Sequence, residues 1–170
     1  MTRTRHRARL ATVVFLRRGD DVLLLRHPEH KDRFPGCWDG IGGHVEPEED
    51  LHESALRELR EESGIAISRL QLRGVIHESG MVGHHYVVFL FTGDAPAGEV
   101  HSPEGLELAW HPVGQLAGIP LVEDLRHWLP ALLGARETLF ITERYDGGDG
   151  LLEVRIGSEP VFRAPSELAE

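Results

Sequence analysis

Apolar residues in this chain fall either in short continuous runs or at helical spacing, and the two patterns divide it into elements. Residues 10–16 and 22–25 are β-rich runs separated by Arg17-Arg18-Gly19-Asp20-Asp21, which predicts a hairpin. Residues 27–40 carry Pro28, Pro35, Gly36 and Gly40 and predict a loop. Beyond Ile41-Gly42-Gly43, Leu51, Ala55, Leu56 and Leu59 recur at helical spacing and form an apolar stripe. Asp50 supplies an N-cap with Glu53 three residues on, and Gly64 stands where a glycine ends a helix. Residues 70–77 and 85–91 predict two strands about a turn at 80–84. A Gly/Pro-rich loop at 94–103, a strand at 106–110 and a short turn or helix at 113–116 follow. Residues 122–133 predict a second helix with Leu125, Trp128, Leu129 and Leu132 inward. Residues 137–144 and 151–156 predict a last strand pair joined at Asp146-Gly147-Gly148-Asp149-Gly150. Strands interspersed with two helices predict an α/β/α sandwich around a mixed β-sheet. With no internal repeat and no long linker, the expected division is a basic tail at 1–8, one domain at 9–157 and a C-terminal tail at 158–170.

Length and charge narrow the field. A chain of 170 residues fits one domain with a sizeable core. The net charge of −10 argues against a long nucleic acid as partner, which needs a basic footprint. A small nucleotide stays open, because a bound metal ion reverses the local field. Cys37 is the single cysteine, so no internal disulfide or thiolate cluster forms, and a reducing cytoplasm is the natural compartment. The basic start is followed by a largely apolar run of only six residues, 11–16, too short for a secretory core or a membrane span.

The helix at 51–63 carries the chemistry. Glu58, Glu61 and Glu62 share one face, and Glu62 falls within the angular range of the apolar stripe. Between residues 46 and 62 eight acids face only Arg57 and Arg60. A carboxylate beside a core stripe is costly unless compensated. Clustered hard oxygens suit Mg²⁺ or Mn²⁺. The plainer reading, a solvated acidic face, leaves the placement of Glu62 unexplained. The eleven histidines, among them His27, His30, His84, His85 and His101, form no tight zinc-ligand array.

Gly43, Glu49, Arg57-Glu58-Leu59, Glu61-Glu62 and Gly64-Ile65 fill all nine constrained positions of a 23-residue signature, G-x5-E-x7-R-E-U-x-E-E-x-G-U, with U a bulky aliphatic residue. The chain thereby resembles the Nudix hydrolases, MutT-like members in particular. The resemblance implies a mixed sheet between helices and hydrolysis of a nucleoside diphosphate linked to another group. It implies Glu58, Glu61 and Glu62 as metal-binding and base residues, with Glu58 polarising the attacking water and Arg57 orienting a glutamate. The Gly42 carbonyl and a glutamate outside the helix complete the implied metal set. Glu104 fits the pattern of Glu-Gly shortly before a tryptophan-bearing strand; Glu107 reads equally as a solvent-facing strand residue. Glu48 departs from the family, where a glycine commonly sits.

Trp38-Asp39-Gly40-Ile41-Gly42-Gly43 and the segment Glu123 to Pro130 resemble the oxidised-purine nucleoside triphosphatases, with Asp39 in place of an asparagine. Asp39 and Asp124 are the implied base-reading residues, since carboxyl groups pair with purine N–H donors. Asp124 also reads as an acid at a helix N-terminus favoured by the dipole. Trp38, Phe34 and Trp110 are candidates for stacking on a base, with core packing the alternative for Trp110 and Trp128. The expected activity is Mg²⁺-dependent cleavage of a purine nucleoside triphosphate, oxidised or not, to monophosphate and pyrophosphate. The alternatives are ADP-ribose, a dinucleoside polyphosphate or another diphosphate as substrate, or a Nudix-fold sensor that binds nucleotide without cleaving it.

Overall fold

The computed structural model describes residues 7–81 and 84–165. In chain order it contains β1 (Arg9–Arg18), β2 (Asp21–Arg26), β3 (Trp38–Asp39), β4 (Ile41–His44) and helix α1 (Leu51–Ser63). Then come β5 (Gln71–Met81), β6 (His84–Asp94), β7 (Glu107–Pro112), a 3-10 turn at Val113–Gly118 and helix α2 (Leu125–Gly134). Strands β8 (Leu139–Tyr145), β9 (Leu151–Ile156) and β10 (Glu159–Arg163) close the order.

Neighbouring residues of β1 and β2 enter different cores. Val14, Leu16, Leu23 and Leu25 pack with Ala55 and Leu59 of α1. Phe15, Val22 and Leu24 pack with Leu125, Trp128, Leu129 and Leu132 of α2. A strand covered on both faces has no polar side, which is why residues 10–16 read as a continuous apolar run. The result is the expected sandwich, a mixed sheet with one helix on each face. Among the described residues no helix is long and apolar enough to cross a membrane.

The main sheet runs β10-β9-β8-β5-β6-β1-β2-β3. It is parallel at β1–β6 and β5–β8 and antiparallel in its other pairs. The predicted hairpin exists but is bonded only beside its turn, Arg17 to Val22 and Arg18 to Asp21. The first half of β1 pairs instead with β4, from Ala11 opposite His44 to Val14 opposite Ile41. β2 turns away to pair with β7 and β3. This division of β1 between two partners brings Gly42 and Gly43 into the sheet beside α1.

Two expectations shift, and two fall partly outside the described residues. The segment 158–170 is not wholly a tail: Glu159–Arg163 forms β10 against β9, and residues 166–170 lie outside the described residues. Of the basic tail, residues 1–6 also lie outside them. So do residues 82 and 83 of the turn predicted at 80–84, whose flanks Gly80 and Met81 belong to β5. Helix α2 begins at Leu125 rather than 122, because Val122 N–H donates to the Trp38 carbonyl at 3.0 Å and Trp38 N–H to that of Pro120 at 2.7 Å. Those bonds hold the segment before α2 extended alongside β3.

Candidate active site

Helix α1 is fixed at both ends as its sequence directs. The Asp50 side chain accepts from the N–H groups of His52 (2.8 Å) and Glu53 (3.3 Å). Gly64, at φ +70, donates its N–H to the Arg60 carbonyl at 2.9 Å. Ahead of the helix, Glu49 N–H closes a turn on the Glu46 carbonyl at 3.2 Å, with Pro47 second and Glu48 third at φ +66. Proline followed by a positive φ marks a type II turn, whose third position favours glycine. The glycine that Glu48 replaces therefore has a backbone reason.

Arg57 joins that turn to the helix. Its guanidinium forks onto Glu49 at 2.8 and 3.0 Å and also reaches Glu58 at 2.7 Å, Glu61 at 3.1 Å and the His44 carbonyl at 3.1 Å. The Arg57 bonds hold the Glu49 carboxyl down to about 2, and the Glu49 and Glu58 carboxylates push the guanidinium above its ordinary value. Arg57 thus orients a glutamate as the resemblance implies, and it meets Glu61 one turn on along the helix. Glu49 as the main partner of Arg57 was missed, although its place in the signature marked it.

Glu62 lies toward the core side of the face, with Oε2 accepting the Gly42 N–H at 3.0 Å. Burial pushes its carboxyl up to about 7, the Gly42 bond opposes the rise, and the charges of Glu58 and Glu104 add to it. Lys31, unremarked in the sequence, pulls in the opposite direction. Glu58 packs on Gly43, where a Cβ would lie 2.5 Å from Oε1, and a Cβ on Gly42 would collide with the Thr12 carbonyl. Both glycines are thus spaces that a side chain would fill. Glu107 is engaged with Arg26 at 3.1 Å, opposite it in the β2–β7 pair. Glu104, in the loop before β7, is the one whose charge acts on Glu62.

The carboxylates do not converge on a single point. Among the described residues no three His, Cys, Asp or Glu side chains stand together as a ready metal-ligand group. Arg57 draws Glu58 and the exposed Glu61 to itself, while Glu62 turns to Gly42. The donors nonetheless suit a hard divalent ion: all are oxygens, and Glu62 is a half-buried acid raised by burial and by like charges, which a cation stabilises in its ionised form.

A cleft of about 230 Å³ opens on the other side of Gly42 and Gly43, between the sheet and α2. Its walls are apolar, including Val13, Phe34, Ile76, Val88 and Leu125, and its polar groups include Arg33, Asp39, Glu78 and Asp124. Asp39 accepts the Gly40 N–H at 2.7 Å and lies 3.3 Å from His27 Nε2. Asp124 is the N-cap residue of α2 and makes no side-chain capping bond, so the helix dipole still favours an acid there without a cap bond holding the carboxyl. Burial, with Asp39 and Glu78 nearby, raises its carboxyl.

Two acids went unread in the sequence: Glu78, which lines this cleft, and Glu143, buried beside it. Burial pushes Glu78 of β5 up to about 7, Arg33 opposing and Asp39 adding. Its partner in the parallel β5–β8 register is Glu143, fully buried, which accepts from Trp128 Nε1–H at 2.7 Å and Tyr145 O–H at 3.4 Å. Burial raises Glu143 well above the usual range, and Asp124 and Glu78 add to it. Each resembles a polar residue on a half-exposed strand, and only the strand register assembles them.

The expectation that Trp38 stacks on a base is corrected. It is 8% exposed, belongs to the core under α2, packs edge-on to His111 at 4.4 Å and does not line the cleft. Its β3 backbone bonds to Pro120 and Val122 turn it inward. Trp110 lies under the Arg18 guanidinium at 4.3 Å, away from the cleft. Phe34, at φ +53, does line the cleft.

An acidic helix held by an arginine and packed against a Gly-Gly strand, with a cleft on that strand's other side, fits a class of phosphoric-anhydride hydrolases. The chain belongs to the NUDIX domain family, whose model matches residues 6–132. It is a Nudix hydrolase, in a family of pyrophosphohydrolases acting on phosphoric anhydrides of nucleoside diphosphate-linked substrates. It is 30% identical over 151 residues to the Nudix hydrolase YvcI of Bacillus subtilis, covering 86% of this chain and 92% of that one. It is 34% identical over 127 residues to the NAD-capped RNA hydrolase NudC of Stutzerimonas stutzeri, covering 73% of this chain but 44% of that one. It is 29% identical over 133 residues to the mouse oxidized purine nucleoside triphosphate hydrolase, covering 74% and 80%. Among solved structures, the MutT protein of Bacillus halodurans superposes with a TM-score of 0.75 at 28% identity, covering 89% of this chain and 99% of that one.

Proposed function

We propose that this Nudix hydrolase is a Mg²⁺- or Mn²⁺-dependent pyrophosphohydrolase that converts a purine nucleoside triphosphate, oxidised or not, to the monophosphate and pyrophosphate. One observation carries the reading. Gly42 and Gly43 touch the acids of α1 on one side and line the cleft holding Asp39 and Asp124 on the other. A substrate spanning that boundary has its phosphates over α1 and its base between the two aspartates. The likeness to the mouse enzyme supports the substrate class.

Glu58, Glu62, Glu104 and the Gly42 carbonyl would hold the ion, with Glu61 beside them. The N–H and C=O of one strand residue point to the same edge, so the Gly42 carbonyl shares the edge from which its N–H reaches Glu62. When bound, a divalent ion neutralises the diphosphate and lowers the pKa of its water. Glu58 accepts the proton of the attacking water, while Arg57 at 2.7 Å orients that carboxylate. Gly43 leaves the room Glu58 needs. The water oxygen bonds to phosphorus as the bridging P–O bond breaks, and pyrophosphate leaves. Asp39 and Asp124 accept N–H bonds from the base.

The test is a panel of purine and pyrimidine triphosphates, ADP-ribose, NAD and dinucleoside polyphosphates, assayed with Mg²⁺ and resolved by product. Purine triphosphates should show the highest kcat/KM and yield monophosphate plus pyrophosphate. Preference for ADP-ribose or a dinucleotide would overturn the substrate reading and leave the α1 chemistry standing.

A further inference from the structure

Glu78 has a place in the cleft that the roles above leave unused. It lines the same cavity as Asp39 and Asp124, projecting from the middle of the sheet while they approach from the Trp38–Asp39 strand and the start of α2. Its Oε1 is buried and has no hydrogen-bond partner. Neither charged neighbour bonds that oxygen. Glu143 accepts from Trp128 and Tyr145, and Arg33, whose charge acts on Glu78, lies 3.2 Å from Asp149 and meets the Met81 sulfur. A buried carboxyl oxygen left unpaired costs on the order of 1–3 kcal/mol or more. Such groups in native structures call for an explanation, and one lining a binding cleft is explained by a ligand that completes it.

We propose that Glu78 is a specificity-determining residue that bonds the edge of the base, so that the cleft selects a purine with adjacent ring N–H and exocyclic amino donors over one lacking the amino group. This rests on the triphosphate reading above and deepens it. Three carboxyl groups, Asp39, Glu78 and Asp124, surround a space whose other walls are largely apolar. Once ionised, above about pH 7 for Glu78, a carboxyl group accepts and does not donate, so the complementary edge is rich in donors. A guanine-type edge offers a ring N–H and an amino group side by side. The inosine-type edge keeps the ring N–H and lacks the amino group. A site built for a donor rejects the analogue without it, because its own polar group is then left bare.

The experiment measures kcat/KM for guanosine, inosine and adenosine triphosphates in the wild-type chain and in Glu78→Leu and Glu78→Gln, with melting temperatures for each. The wild type should favour guanosine over inosine triphosphate by at least about tenfold, the worth of one buried hydrogen bond. Glu78→Leu should reduce that ratio to near one, with the loss for guanosine triphosphate falling more on KM than on kcat. Glu78→Gln, which keeps an acceptor and the size, should retain part of the preference even if the leucine variant folds poorly. A wild type without preference between the two, or a ratio unchanged in both variants, overturns the assignment of Glu78. If the wild type cleaves no triphosphate at all but cleaves another panel member, the triphosphate reading falls and takes this one with it.

Discussion

Glu48 and Gly43 show how single positions are set by backbone geometry. At φ +66 Glu48 occupies the left-handed region, which costs an ordinary residue about 1–2 kcal/mol. Its turn is otherwise sound, so Glu48→Gly should raise stability by about 0.5–1 kcal/mol after glycine's greater loss of chain entropy. Chemical denaturation reads this directly; an unchanged or lowered midpoint would mean that the side chain makes a compensating contact. Gly43 is constrained by its neighbour rather than by its own φ. Gly43→Ala places a methyl 2.5 Å from Glu58 Oε1 and should displace that carboxylate. Turnover should fall by at least about tenfold, equivalent to about 1.4 kcal/mol in the barrier, with the melting temperature lowered only modestly. Full activity of that variant would show that Glu58 has no fixed position to lose.

At the scale of elements, the pieces that carry their own instructions were legible in the sequence. Asp50, the Leu51-to-Leu59 stripe and Gly64 define α1 locally, and α1 forms where they place it. The signature spacing likewise placed Arg57 beside Glu61. What failed depended on distant partners. β10 owes its existence to the exposed edge of β9, and the start of α2 is delayed by backbone bonds to Trp38. Trp38 itself looked like a stacking residue because aromaticity is visible in sequence and orientation is not. The acidic face of α1 makes its own prediction. Millimolar Mg²⁺ or Mn²⁺ should raise the melting temperature by ligand linkage, and excess chelator should reverse the shift. Glu62→Gln should shrink it. No shift at all would leave the carboxylates as a solvated face.

Across the whole molecule, the fold gathers acids from three places, the Asp39 segment, β5 and the start of α2, into one cleft floor that no local motif announces, with Glu143 of β8 buried beside Glu78. That floor should be visible in the pH dependence of stability. The folded-state carboxyl of Glu78 is raised from 4.5 to about 7, facing Asp39, Asp124, Glu143 and Arg33. Between those values the folded chain holds the proton more tightly than the unfolded one. Its contribution is therefore fully present below about 4.5 and lost as pH rises through about 7. Glu78→Gln should remove that loss, so its stability relative to wild type should grow from pH 4.5 to 7 by on the order of 2 kcal/mol. A difference constant with pH would show that Glu78 is not held neutral by the fold.

The central proposal is that Glu62 and its neighbours hold a divalent ion and cleave a nucleoside triphosphate. The most direct measurement follows a purine nucleoside triphosphate with Mg²⁺ in the wild type and in Glu62→Gln, identifying products as well as rate. The wild type should release pyrophosphate and monophosphate, and the variant should turn over at least about a hundredfold more slowly, reflecting the loss of a few kcal/mol of transition-state stabilisation. Orthophosphate and diphosphate as products, or near-normal turnover by Glu62→Gln at saturating Mg²⁺, would contradict it.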